Sequence, residues 1–168
     1  MRFYSVFHKG KDLINSHGDL LGICIEGHER FWSLEDRLPK NIKDQWIFAN
    51  NTHMIDLLRF FGGEVKRSYH LAKSHHQTNG DQFVSAIEFK SGLLGSYIAH
   101  WYSPAGWTVR LFGEGITVVF HPLESAVWID QQMESHAISP DRHDLKFKAG
   151  FFAQANAFEA LVRTGTIS

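Results

Sequence analysis

A single cysteine in 168 residues leaves no partner for an intrachain disulfide, so the chain must be held by packing alone. That residue, Cys24, stands in the apolar run Leu20-Leu21-Gly22-Ile23-Cys24-Ile25 and reads as a buried reduced thiol in a strand. Excess charge is also missing: 17 Lys and Arg against 18 Asp and Glu give a formal net charge of −1. A balance like that builds no basic stripe for phosphates, so no nucleic-acid partner is expected. No apolar run approaches the ~18 residues of a membrane-crossing helix, and the N-terminus lacks the charged-then-apolar pattern of a secretory signal. The expectation is therefore a cytoplasmic protein with no membrane partner. Finally there is no Gly-x-Gly-x-x-Gly, the turn that seats a dinucleotide pyrophosphate. Gly113 and Gly115 lack the third glycine and fall between two strand-like runs.

Aromatic residues, by contrast, are plentiful: 14 Phe and 5 Trp lift them to 14% of the chain. That exceeds what one small core needs, so some rings should face a ligand or a second subunit. The length suits one domain, residues 1–168, with a sizeable core.

The stretch from Asn50 to Gly63 reads as one helix with both ends signalled. Asn51 or Thr52 can cap the start, Asp56 puts negative charge in the first turns, and Gly62-Gly63 supplies a left-handed stop. At about 100° per residue, Met54, Ile55, Leu57, Leu58, Phe60 and Phe61 fill a broad arc, so the helix should be mostly buried. His53 falls between Leu57 and Phe60 at the helix mouth. An imidazole buried there and oriented by Asp56 could act as a general acid or base near neutral pH. The plainer reading is a satisfied core or capping histidine, one of 11 in the chain. His-x-x-Asp offers only two metal ligands where catalytic zinc takes about three.

Around that helix, Phe3 to Ile14 carries loosely helical spacing and ends at Asn15-Ser16-His17-Gly18. Leu20 to Glu29 reads as a strand leading into an irregular stretch from Arg30 to Gln45, which holds Trp32. A polar tip, His75-His76-Gln77-Thr78-Asn79-Gly80, precedes a change of period to two. Phe83–Phe89, Leu94–Trp101, Trp107–Phe112, Ile116–Phe120 and Ala126–Asp130 then read as a five-stranded antiparallel meander, because their connections are short enough only for hairpins. Several of these strands are apolar on both faces. One face can be covered by helices, and the simplest cover for the other is a second copy of the sheet, against the alternative of a sheet curled over its own core. Leu145 to Val162 spaces Phe147, Phe151, Phe158 and Val162 as an amphipathic helix.

In order and spacing these segments resemble the C-terminal domain of the glucose–fructose oxidoreductase / inositol dehydrogenase (Gfo/Idh/MocA) family of NAD(P)-dependent oxidoreductases. Arg2-Phe3-Tyr4 is similar to the family's junction after its nucleotide domain. His17-Gly18-Asp19-Leu20-Leu21-Gly22 is similar to its Gly-x-Ile-Gly turn. His53-Met54-Ile55-Asp56-Leu57-Leu58 with Gly62-Gly63 resembles its His-x-x-Asp-Leu-Leu…Gly helix, the most specific piece. Val109 to Ile116 resembles its Gly-x-x-Gly hairpin, and Phe152 to Arg163 its late helix.

The resemblance implies an α+β fold: an open, predominantly antiparallel sheet with helices on one face and the other face available for dimerisation. It implies a substrate-binding and oligomerisation domain of an oxidoreductase acting on a sugar, polyol or related hydroxyl compound, with a small-molecule substrate and a homo-oligomer as partners. His53 would be the catalytic acid/base, and Asn50, Arg30 and Trp32 are taken for the pocket wall. NAD or NADP is implied for the full-length protein and no cofactor for this chain alone, since the family's Rossmann domain and its Glu-Lys-Pro lysine are not in this sequence. Four positions before His53, where the family motif Asp-x-x-x-His has its carboxylate, stands Ala49. That residue favours a different class of protein, a non-catalytic sugar-binding or scaffold module derived from the family. A metal hydrolase using the many histidines is the third alternative.

Overall fold

The computed structural model describes residues 1–34 and 36–165. Glu35, in the expected irregular stretch, and positions 166–168 of the expected 1–168 domain lie outside the described residues. In chain order the elements are α1 (Ser5–His17), β1 (Leu20–Gly27), a 3₁₀ turn (Phe31–Ser33), α2 (Lys40–Lys43) and a π-helical turn (Ile47–Asn51) that runs straight into α3 (Thr52–Gly62). Strands β2 (Val65–Lys73), β3 (Gln82–Phe89), β4 (Leu94–His100), β5 (Trp107–Gly113), β6 (Ile116–Phe120), β7 (Ala126–Ile129) and β8 (Ser135–Ile138) follow, then α4 (Arg142–Lys146) and α5 (Phe151–Thr164).

The strands form one open sheet in the order β2-β3-β4-β1-β5-β6-β7-β8, antiparallel throughout except that β1 lies parallel to β4. The α+β class and the mostly antiparallel sheet are as expected, but the meander is not. β1 inserts between β4 and β5, so the short Ser103–Gly106 link crosses above a strand instead of closing a hairpin. Adjacent strands lie about 4.8 Å apart, so a link across one intervening strand spans roughly 10 Å, within reach of a few extended residues.

Alternation along each strand divides the sheet into two faces. Ile23, Ile25, Ile87, Phe89, Val109 and Leu111 turn inward and are buried. α1 lies over β5 to β8 and α3 over β1 and β4, both on this face. Phe7 of α1 joins the layers, its ring set edge-on to Phe61 of α3 at 5.7 Å and to Phe120 of β6 at 4.9 Å. The N-terminus of α1 is capped from a distance: Asp144 of α4 accepts the Ser5 N–H at 2.7 Å. On the opposite face, cross-strand partners form rows through the whole sheet, one of them running Tyr69, Ala86, Ser96, Cys24, Arg110, Val119, Val127. Among the described residues no helix covers that face, and Tyr69, Val84, Leu94, Phe112 and Val127 are exposed on it.

Three local expectations are corrected. The helix of His53 does not begin at an N-cap: Asn51 and Thr52 are already helical, and the π turn carries the helix back to Ile47. Its end is as expected, with Gly63 at φ 80° donating its N–H to the Arg59 carbonyl. Cys24 lies on the open face, half-buried instead of fully buried. The late helix is split: α4 stops at Lys146, where Phe147 is extended, and α5 starts after Gly150, whose backbone is left-handed (φ 76°). No residue of α5 is buried; Phe151, Phe158 and Val162 are exposed.

Candidate active site

The strand β1 turns polar where it leaves the core, at Glu26-Gly27-His28-Glu29-Arg30. Backbone bonds keep this continuation beside β4: the Glu29 N–H reaches the His100 carbonyl at 3.2 Å, and the Phe31 N–H reaches that of Trp101 at 2.8 Å. Above it passes the N-terminal, π-helical end of the α3 helix. A π turn carries one more residue than an α turn, and such bulges recur at functional sites.

Glu29 is the centre of the cluster that results. Its Oε1 accepts the Asn50 Nδ2–H at 2.6 Å and the Trp107 Nε1–H at 3.1 Å, joining β1, the π turn and β5. The Trp46 indole N–H lies close to the same carboxylate but outside hydrogen-bond geometry, and is buried without a partner. Burial pushes the Glu29 carboxyl above its usual range, against the opposing pull of its N–H donors. A carboxyl so raised is suited to exchanging a proton or to fixing a hydroxyl. On the opposite side of the same strand, His28 stacks on His100 with ring centroids 5.5 Å apart, and its Nδ1 accepts the His100 backbone N–H at 3.1 Å. Burial, ahead of the neighbouring charges, lowers the His28 pKa.

The residues singled out in the sequence fall around this centre unevenly. Asn50 is in it. Arg30 follows Glu29 directly and makes a bridge to Tyr102, with its side chain exposed. Trp32 sits on the 3₁₀ turn, 45% exposed. His53 follows Asn50 by three positions on the continuous helix, hence on the same flank. It is exposed, not buried as expected: the buried arc of α3 is Met54, Leu57, Leu58 and Phe61. Asp56, expected to orient His53, instead receives Arg2, whose Nε–H reaches Oδ2 at 2.9 Å. Ala49 is also exposed. Glu29 and Trp107 escaped the sequence reading, although the break from an apolar strand into His28-Glu29-Arg30 marks the spot.

Gly113 ends β5 and Gly115 turns the chain into β6, an antiparallel hairpin and not a strand-to-helix turn. Among the described residues, one group of three metal-type ligands comes together, Asp130, Glu134 and His136 at the β7–β8 turn. There Asp130 Oδ1 accepts the Gln132 and Glu134 N–H groups and Oδ2 meets His136 Nε2 at 2.8 Å, the arrangement of a capped turn.

The GFO/IDH/MocA C-terminal domain profile matches residues 23–119, from β1 into β6. Among curated proteins no sequence matches the chain at a significant level. Among solved structures, one similar to it is a protein of Desulfitobacterium hafniense assigned as an NADPH-dependent oxidoreductase (TM-score 0.78, 15% identity, covering 99% of this chain and 54% of that one). Another is the UDP-N-acetylglucosamine 3-dehydrogenase of Acidithiobacillus ferrooxidans (0.75, 11%, 98% and 51%). A third is an Agrobacterium radiobacter oxidoreductase in complex with NAD+, L-tartaric acid and magnesium (0.72, 12%, 100% and 54%). The chain spans about half the length of these structures.

The raised Glu29 carboxyl makes folding sensitive to pH. Because its folded pKa lies above the unfolded value near 4.5, its protonated form favours the fold. That contribution is full below the unfolded pKa and is lost as pH rises through the folded one. Glu29→Gln keeps an acceptor for Asn50 and Trp107 without the charge. Its urea midpoint relative to the parent is expected to rise between pH 4 and pH 7; a difference that is flat with pH would contradict the raised carboxyl.

Proposed function

Because the chain belongs to the GFO/IDH/MocA C-terminal domain family, we propose that it is the substrate-binding and oligomerisation half of an NAD(P)-dependent oxidoreductase acting on a sugar, polyol or related hydroxyl compound. The observation that carries the proposal is the shared flank of His53 and Asn50, with Asn50 tied to Glu29 at the polar end of β1. The hydride acceptor, NAD or NADP, belongs to the other half of such an enzyme; this chain's residues hold the substrate and handle its proton. His53, reachable from solvent, takes the proton of the hydroxyl being oxidised. Glu29, Asn50 and Arg30 orient neighbouring hydroxyls, and Trp107 and Trp32 offer aromatic faces to the apolar side of a sugar ring. Its lone reduced cysteine suits the cytoplasm.

The uncovered sheet face is the proposed contact between copies. Its rows of Tyr69, Leu94, Phe112 and Val127 give apolar area, while Arg110 with Glu26 and Arg67 with Glu88 pair charges within the same face, leaving few unmatched charges to bury.

Exposed Ala49 favours the second reading, a sugar-binding or scaffold module without chemistry. The two differ in turnover, not in binding: an enzyme pairing this chain with a nucleotide-binding half should oxidise a polyol under the first reading and bind without turnover under the second.

Two measurements bear on the proposal. Titrating the chain with sugars and polyols is expected to shift the NMR signals of Glu29, Asn50 and His53 together; shifts confined to other regions would contradict the site. Light scattering at micromolar concentration should give twice the chain mass or more, and Phe112→Asp should return it to one. A monomeric parent would remove the sheet-face contact.

A further inference from the structure

The other flank of α3 borders a cavity that the proposed active site does not use. α3 covers β1 and β4 but stops short of β2 and β3, leaving a space of about 360 Å³ against the exposed edge of the sheet. Ile47, Ile55 and Leu58 form its helical wall, with Phe83, Ile87 and Ala72 across from them. By helix geometry Ile55, Leu58 and Arg59 lie roughly 120–160° around the cylinder from His53, so the two sites face different ways. This inference therefore stands independently of the oxidoreductase reading.

One polar seam crosses the cavity. His70 Nδ1 meets Ser85 Oγ at 2.9 Å and its Nε2 meets Ser68 Oγ at 2.8 Å. A neutral imidazole has one N–H and one lone pair. One serine must then donate to the ring while the other accepts from it, and the accepting serine keeps its own O–H for a third group. If the ring is protonated, both serines accept and both O–H groups are free. In either state the seam offers at least one hydroxyl proton to an acceptor. The charge around it agrees: among the described residues Arg59 lines the cavity and no carboxylate does, while Glu64 pairs with Arg59 outside the lining.

We propose that this cavity is a binding site for a small carboxylate with an apolar chain or ring, its body between α3 and strands β2–β3 and its carboxylate on the Ser68–His70–Ser85 seam. The volume lies within the range of small-molecule pockets. Acceptor-only oxygens match the free serine O–H groups, and a lining without a carboxylate sets no like charge against an anionic head.

The test compares octanoate with 1-octanol, followed by NMR on the 168-residue chain. Saturable octanoate binding is expected, with shifts at Ser68, His70 and Ser85. Ala72→Trp, a change at an exposed edge position that fills the space, should abolish it. The double variant Ser68→Ala, Ser85→Ala, which removes both hydroxyl donors of the seam, should weaken octanoate by about fivefold or more and leave octanol within about twofold, the difference expected from losing hydrogen bonds to a charged head. Absence of saturable octanoate binding overturns the proposal. So does equal affinity for the alcohol, binding retained by Ala72→Trp, or indifference to the loss of both serines.

Discussion

A single buried hydrogen bond sets where everything else on this domain can be. Tyr97, on β4, donates its hydroxyl to Asn51 Oδ1 at 2.7 Å, and both residues are buried. A buried amide left alone costs on the order of 1–3 kcal/mol, so the pair is strongly preferred over either group unpaired. It pins the junction between the π turn and α3 to the centre of the sheet. Gly27 makes room for it: a Cβ there would stand 2.7 Å from the Asn51 oxygen and 2.8 Å from the Tyr97 hydroxyl. The glycine in Glu26-Gly27-His28 is thus a packing requirement at the place where β1 leaves the core.

With that junction fixed, the two flanks of the helix acquire opposite characters. On one, Asn50 drops onto Glu29 and Trp107, and His53 is left facing outward. On the other, the helix overhangs strands it does not cover, leaving the cavity with its serine–histidine seam. Tyr97 borders that cavity as well. Both candidate sites therefore border one helix, while Tyr69, Leu94, Phe112 and Val127 lie exposed on the far side of the sheet.

Much of this architecture is legible from local sequence. Strict alternation in Phe83–Phe89 and Trp107–Phe112, and the glycine stop after Phe61, report periods and turns that neighbours in the chain determine. The insertion of β1 between β4 and β5 is not of that kind, since its pairing with Leu94–Ile98 joins residues about seventy positions apart and leaves no local mark. The reading of Asn51 as a cap failed for a similar reason. Asparagine favours caps, but here its oxygen is satisfied by a tyrosine 46 residues away, and the helix continues through it. His53 was expected to be buried because its wheel neighbours are apolar. That inference assumed cover on every side of the arc, whereas Ile55 and Phe60 lie at its margins and only the arc from Met54 to Phe61 meets the sheet. Glu29 escaped because its partners come from 21 and 78 positions away.

The pinning bond is open to direct measurement by urea unfolding of Tyr97→Phe, which removes one oxygen and little volume. Asn51 Nδ2 already lacks a partner, so the loss would leave the whole amide buried and unbonded. The account predicts a destabilisation of about 1–3 kcal/mol, with the NMR signal of Asn50 displaced as its junction loosens. A stability unchanged within about 0.5 kcal/mol, the scatter typical of inconsequential surface substitutions, would contradict it.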